Sequence, residues 1–322
     1  MKLFVTGAAG FIGSNYVRWV MSNTDAEVTV FDALTYAGVR ENLAEFERSS
    51  RFSFVEGDIT DRDAVAAALP GHSHVVHFAA ESHVDRSIMG PDAFITTNVL
   101  GTNIMCDVAR VNDVERFLHI STDEVYGSID EGSFVETDGL EPRSPYSASK
   151  ASSDLVALAY RETYGLPVVI TRSANQFGPY QFPEKVIPLF VTNLADDQQV
   201  PLYGDGLNIR DWTYVIDNCA GVQMVLVQGA EGEIYNIGAG NELTNKELTH
   251  FILERCGKDE SSIDYVEDRL GHDRRYSIDT TKIRALGWTP DYSFEDALDL
   301  TVAWYNDNRV WWEPLKASVK NR

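Results

Sequence analysis

The chain has 322 residues, 44% of them hydrophobic and 11% aromatic, enough to fill one large core or two interleaved ones. Its 49 acidic against 27 basic side chains give a formal charge of −22, which argues against nucleic acid or an anionic membrane as partner and requires an anionic ligand to meet locally placed cations or helix N-termini. Cys106, Cys219 and Cys256 are scattered and form no CxxC, so no disulfide and a reducing compartment are expected. A strand begins at once at Lys2, and no apolar run approaches the roughly 18 residues of a membrane span, so the reading is a cytoplasmic protein without a signal peptide.

In chain order the first half alternates β-rich runs with helical patterns: KLFVT (2–6), FIGSNYVRWVMS (11–22), EVTVF (27–31), FSFVEGD (52–58), DRDAVAAAL (61–69) and HVVHFAA (74–80). A long periodic segment follows from about 91 to 112, then ERFLHIS (115–121), a helix from about 145 to 164, and PVVITR (167–172). Strands alternating with helices predict an α/β, Rossmann-like, doubly wound parallel sheet. We place this NAD-binding domain at 1–174 and a smaller nucleotide-sugar-binding α/β lobe mainly at 175–322, with segments near 203–230 returning to the first domain. In the second half, loops rich in Pro, Gly and Asn are expected at 175–185 and 201–212, helices at 215–228, 244–256 and 293–307, and one more strand at 233–238.

GAAGFIG (7–13) places Gly7, Gly10 and Gly13 between a strand and a helix. Glycines there let the turn close and the backbone approach a pyrophosphate, which the N–H groups of the helix N-terminus stabilise. By itself the run is also an ordinary glycine-rich turn. Asp32, 19 residues after Gly13 at the end of the second strand, adds an acceptor for the ribose hydroxyls that repels a 2′-phosphate and so favours NAD over NADP. Asp58, at the end of the third strand and followed by Ile59, is either an adenine contact or a helix cap.

In SPYSASK (144–150), Ser144 suits an N-cap and Pro145 a first helical position, which puts Tyr146 in the first turn and Lys150 over the same face. The pair is either a surface Tyr-Lys pair or a unit in which a nearby ammonium lets the phenol act as a base. Upstream, HISTDEVYG (119–127) ends a buried strand in two adjacent carboxylates. Within a continuing strand Asp123 and Glu124 point to opposite faces; if the chain turns after Thr122 they bracket one ligand. Desolvation and mutual repulsion then split them into an acid and a base, the equipment for eliminating water. The alternative is an exposed acidic turn.

The glycine turn, the Ser121-Thr122 strand end and the YxxxK helix together resemble the extended short-chain dehydrogenase/reductase superfamily. AAESHVDRSI (79–88), STDEVYG (121–127), YSASKASSD (146–154), GPYQFPEKVIPLF (178–190), IRDWTYVID (209–217) and GHDRRYSID (271–279) narrow the likeness to its nucleotide-sugar 4,6-dehydratase branch, from residue 1 to about 308. The resemblance implies NAD as cofactor, dTDP-glucose as substrate and a homodimer formed through the helices near 93–112 and 146–163. It implies that Tyr146 deprotonates the hydroxyl on carbon 4 while Thr122 holds that oxygen and Lys150 lowers the tyrosine pKa. Glu124 then takes the proton of carbon 5, and Asp123 protonates the hydroxyl leaving carbon 6. It further assigns Phe11, Ile12, Ile59, Ala79, Ala80 and Thr97 to the cofactor, and Ser82, Asn175, Lys185, Arg210, Asn245 and His272 to the sugar or its diphosphate.

Lys185 and Arg210, in polar loops of an acidic chain, suit a diphosphate or are ordinary solvated cations. His272 is a ligand contact or a structural histidine. His72, His74 and His77 lack a carboxylate or Cys at ligand spacing, and no metal is expected. Trp311 and Trp312 read as packing. Three departures from the family pattern stand out: Ala8 for glycine, Gln176-Phe177 for Asn-Tyr, where the wall near nicotinamide or sugar would differ, and Leu270 for proline in a loop of the nucleotide pocket. An epimerase or decarboxylase is the competing enzyme reading, with no work for Asp123 and Glu124. A non-catalytic NAD-sensing protein would dispense with Tyr146 and Lys150.

Overall fold

The computed structural model describes residues 1–268 and 271–320, so the Leu270 departure lies outside the described residues. Among these, seven parallel strands form the main sheet in the order β10-β6-β5-β4-β1-β2-β3. They are β1 (Lys2–Thr6), β2 (Glu27–Asp32), β3 (Phe52–Glu56), β4 (His74–His77), β5 (Arg116–Thr122), β6 (Val168–Ser173) and β10 (Ile234–Ile237). Most of these strands are near-continuous apolar runs because helices cover both faces. On one face, helix Phe11–Asn23 packs Tyr16, Val17 and Val20 against Val222, Val225 and Leu226 of helix Val215–Gln228. The other face is closed by helices Arg62–Ala68, Thr102–Val111 and Pro145–Tyr164, through residues such as Val65, Met105 and Ala157.

The strand order reverses direction at β1, and the crevice beside that switch point, outside the carboxyl ends of the strands, is where such sheets bind ligands. The periodic segment expected at 91–112 is helical from Asp92 to Val111, with a π-helical stretch at Ile95–Gly101 that carries Thr97 to the cleft.

β6 ends at Ser173 and the chain passes directly into β7 (Asn175–Phe177), which pairs with β9 (Ile209–Tyr214) and through it with β11 (Glu242–Thr244). A further pair joins β8 (Val200–Tyr203) to β12 (Ile263–Val266). The segments expected as loops at 175–185 and 201–212 thus contain strands of a small lobe. Its core is Phe177, Trp212, Leu248, Leu298 and Trp312, with helices Val186–Ala195, Asn245–Arg255 and Phe294–Asp307 around it. Helix Val215–Gln228, β10 and Ile283 belong instead with the main sheet. Helix Arg309–Lys320, unforeseen from sequence, closes the chain; Trp312 is buried in the lobe and its Nε1–H donates to Tyr305 O at 2.7 Å.

Candidate active site

Backbone conformation sets the glycine turn. Gly7 has φ +69°, and a Cβ there would lie 2.5 Å from the Ala79 nitrogen, while one on Gly13 would lie 2.6 Å from the Gly7 oxygen. The turn is therefore pressed against the end of β4. Gly10 caps helix Phe11–Asn23 without a side-chain partner, leaving the first-turn N–H groups of Phe11, Ile12 and Gly13 at the cleft wall. Ala8, where glycine is usual, is buried and outside the positive-φ set, so the methyl is accommodated.

Asp32 Oδ2 accepts from Ala9 N at 2.8 Å and its Oδ1 from Leu34 N at 2.8 Å. Burial raises its pKa against those two bonds, and each oxygen keeps a lone pair for a ribose hydroxyl. Asp58 lines the cleft and forms a turn with Thr60; the cap of the following helix is Asp61, which accepts from Asp63 N and Ala64 N. Ile59, Ala79, Ala80 and Ser82 also line the cleft.

β5 does stop at Thr122. The chain turns there into a 3₁₀ turn, Asp123–Tyr126, and the Thr122 hydroxyl accepts from Glu124 N. Both carboxylate residues therefore line the same cleft as Tyr146 and Lys150. Thr122 Oγ1 donates to Asp123 Oδ1 at 3.2 Å, while Asp123 Oδ2 is buried without a protein partner. Burial first, and Glu124 second, push the Asp123 carboxyl up to about 8. A proton sits on it at neutral pH.

Ser144 caps helix Pro145–Tyr164 in a capping box with Ser147, with Pro145 at its start. Tyr146 and Lys150 share a buried face, and Lys150 Nζ donates to Ile120 O at 2.7 Å. Burial, then Glu124, push the Tyr146 phenol up, against a hydrogen bond with Thr122. A base role therefore needs positive charge beside it, from Lys150 and from an oxidised nicotinamide. The residues fit such a group: Ser121 Oγ and Asn175 Oδ1 in the cleft are buried without protein partners.

Lys185 Nζ donates to Ser82 O at 3.1 Å at the cleft edge. Arg210, Asn245 and His272 are not part of the cleft lining. Arg210 Nη2 donates to Asp273 O at 2.9 Å, its guanidinium lies 4.1 Å from the Tyr276 ring, and its charge reaches Asp123. Asn245 N donates to Asn208 O, and the Asn208 amide donates to Asp273 O, so this spot is held together by one hydrogen-bonded chain. His272 Nδ1 lies 2.6 Å from Asp268 Oδ1.

One expectation needs correcting. Gln176 does line the cleft, but Phe177 is buried in the lobe core, where its ring packs against Trp212, Tyr214 and Phe294. The three histidines are engaged separately: His72 with Leu69 O and Thr29, His74 with Ser73, His77 with Thr6 and Thr102. Sequence reasoning missed Tyr36, Glu81 and Glu184. Tyr36 donates to Glu184 Oε1 at 3.0 Å across the cleft, joining the two lobes, and burial raises the pKa of Glu81. Nothing in their local pattern marks them, since the contact spans 148 residues.

A glycine turn at the switch point of a parallel sheet, facing a Tyr-Lys helix and a hydroxyl-bearing strand end, defines an extended short-chain dehydrogenase/reductase. Within that class, the chain belongs to the GDP-mannose 4,6 dehydratase family, which it matches over residues 4–301. It is 54% identical to the low-salt glycan biosynthesis protein Agl12 of Haloferax volcanii, over 95% of this chain and 98% of that one. It is 52% identical to a dTDP-glucose 4,6-dehydratase of Streptomyces niveus, over 98% and 96%. A solved Streptomyces venezuelae dTDP-glucose 4,6-dehydratase with NAD and dTDP bound superposes with a TM-score of 0.96 at 56% identity, covering 98% of this chain and 100% of that one. A UDP-glucose 4-epimerase of Thermotoga maritima reaches 0.89 at 31% identity, covering 96% and 100%.

Proposed function

We propose that the protein is an NAD-dependent nucleotide-sugar 4,6-dehydratase, a hydro-lyase that converts dTDP-glucose to dTDP-4-keto-6-deoxyglucose. The observation that carries this reading over epimerisation is the Asp123-Glu124 pair in the cleft, one of its carboxyls held neutral up to about pH 8. NAD, bound by the glycine turn, Asp32 and Lys150, supplies the electron acceptor at carbon 4 and returns the same electrons at carbon 6.

Tyr146 takes the proton of the carbon-4 hydroxyl, and Thr122 holds that oxygen. The ketone so formed acidifies the hydrogen on carbon 5, which Glu124 removes as Asp123 gives its proton to the hydroxyl departing from carbon 6. Water leaves, and carbon 5 regains a proton when carbon 6 is reduced. No net oxidant is consumed. Ser82, Asn175 and Lys185 along the cleft would hold the sugar and its phosphates, with Arg210, Asn245 and His272 beyond them toward the nucleotide. We further propose a homodimer through the helices at 93–112 and 146–163, which expose Ile95, Leu100, Val111 and Leu155. A cytoplasmic location suits the three unpaired thiols.

The test is incubation of the purified protein with dTDP-glucose, followed by alkali. A 4-keto-6-deoxy sugar absorbs in the near ultraviolet under these conditions, whereas an epimerised sugar does not, and a silent sample would refute the reading. Glu124→Gln is expected to keep the first oxidation measurable while cutting product formation at least about 100-fold.

A further inference from the structure

Below the reactive pair lies a buried charge that the proposed reaction does not touch. Helical spacing carries Tyr146, Lys150 and Asp154 down one face of helix Pro145–Tyr164, and all three are buried, Asp154 completely. Arg172 on β6 donates from Nε to Asp154 Oδ2 at 2.9 Å. His119 on β5 brings Nε2 to 3.3 Å from Asp154 Oδ1. Behind Arg172 stands the Tyr126 ring, 4.7 Å away, whose hydroxyl donates to Asn236 Oδ1 at 2.9 Å. Behind His119 stands His77 on β4, with ring centroids 5.6 Å apart. The carboxylate is thus tied to β6 by Arg172, with the His119 ring of β5 beside it and the lysine of the cleft one helical turn above it on the same buried face.

A single salt bridge to Arg172 does not explain why the carboxylate sits one helical turn below Lys150. Lys150 is itself buried, and its hydrogen-bond partner among the described residues, Ile120 O, is a neutral carbonyl. A buried amine in that setting tends to shed its proton, and a neutral amine gives a phenol no help in ionising. We infer that Asp154 is a positioning residue of the reaction: anchored by Arg172 and His119, it keeps Lys150 an ammonium, so that Tyr146 can become the base.

This inference rests on the tyrosine-driven oxidation proposed above. The charges agree with it. Burial brings Lys150 down to about 8, with Asp154 opposing the fall. Burial also works to raise Asp154, yet the hydrogen bond of His119 and the charges of Arg172 and Lys150 keep it below the usual carboxylate range. His119, held down to about 4 by burial and then by Lys150, stays neutral, as does His77, lowered by burial and then by His119. Of the groups packed around Asp154, Lys150 and Arg172 are the cations, His119 and His77 are neutral rings, and Tyr126 and Tyr146 are phenols.

The experiment is Asp154→Asn, which keeps the side-chain shape and removes the charge. The step to follow is oxidation at carbon 4, read as the absorbance of reduced nicotinamide in an E124Q background, where elimination does not follow it. The alkaline limb of its pH profile should move down by about one unit, so that the oxidation rate falls about twofold at neutral pH and about five- to tenfold at pH 8 and above. The substrate concentration at half-saturation should stay within about twofold. D154E, which restores the charge, should return the limb toward its original place.

A D154N profile lowered equally at every pH, with its limb unmoved, would reduce Asp154 to a folding role and overturn the inference. Should D154N not fold, the E124Q profile alone decides: an alkaline limb that already sets in below pH 7 would mean that Lys150 is not held charged. These results are separate from the fate of the proposed function, which falls only if the wild-type protein makes no 4-keto sugar.

Discussion

At the scale of single residues, the sequence marks Asp123 and Glu124 as adjacent acids but leaves open whether they converge. The turn after Thr122 settles that, because a 3₁₀ conformation replaces the strand alternation that would have separated them. Burial then gives the two carboxyls different work. Asp123 carries a consequence for stability as well as for rate. Its folded pKa of about 8 lies above an unfolded value near 4, so between those limits the folded chain binds the extra proton and stability drops as pH rises. Asp123→Asn removes that titration. The variant should lose elimination almost entirely, while its stability advantage over wild type widens from about pH 4 to pH 8, reaching about 2 kcal/mol or more. Urea melts across that range check it, and a gap that narrows with pH would count against a neutral Asp123.

At the scale of elements, legibility follows the range of the interaction that shapes each one. The strands of the main sheet are apolar runs flanked by turn residues, and Ser144-Pro145 signals a helix start through contacts within one turn, so both can be read locally. β7 and β9 cannot, because three to six residues among Pro, Gly and Asn become strands only by pairing with each other. Phe177 was placed in the cleft wall for the same reason: which face it takes depends on that pairing. Helix Arg309–Lys320 contains Pro314 and owes its place to Trp312 and to Lys316, which donates to Thr192 O at 2.9 Å. In the site, the residues carried by local motifs line one cleft, whereas Tyr36 and Glu184 meet only in three dimensions. The cap offers a test at this scale. Ser144→Ala removes the hydrogen bond that its hydroxyl accepts from Ser147 N at the turn that holds Tyr146, at a cost of about 1 kcal/mol. Calorimetry should show a melting temperature lower by about 2–4 °C, with kcat reduced more than KM is changed.

At the scale of the whole molecule, the cleft gathers its cations against a strongly anionic background. Lys150 is buried behind it, Lys185 sits at its edge, and Arg210 is clasped by backbone carbonyls beside it. The chain as a whole carries a net charge of −22, and such an excess of one sign works against compaction through self-repulsion. Ion pairs recover part of this: Arg275 reaches Glu242 at 2.7 Å, and Arg18 reaches Glu45 at 2.6 Å, both at partly exposed sites where each pair contributes little. Even with every base paired one to one, 22 acidic side chains have no such partner to meet, since acids outnumber bases 49 to 27. Screening should therefore stabilise this fold. At about 0.1 M salt the Debye length is about 10 Å, comparable to the spacing of surface charges, and at about 1 M it shrinks to about 3 Å. The melting temperature is expected to climb by several degrees between those limits in potassium chloride, a salt chosen over sulfate so that exclusion from the surface does not produce the same rise. A mixture of charge-neutralising Glu→Gln changes at exposed positions such as Glu131 and Glu231 should flatten the dependence. A melting temperature indifferent to chloride would mean that the acidic surface is balanced by contacts rather than by ions.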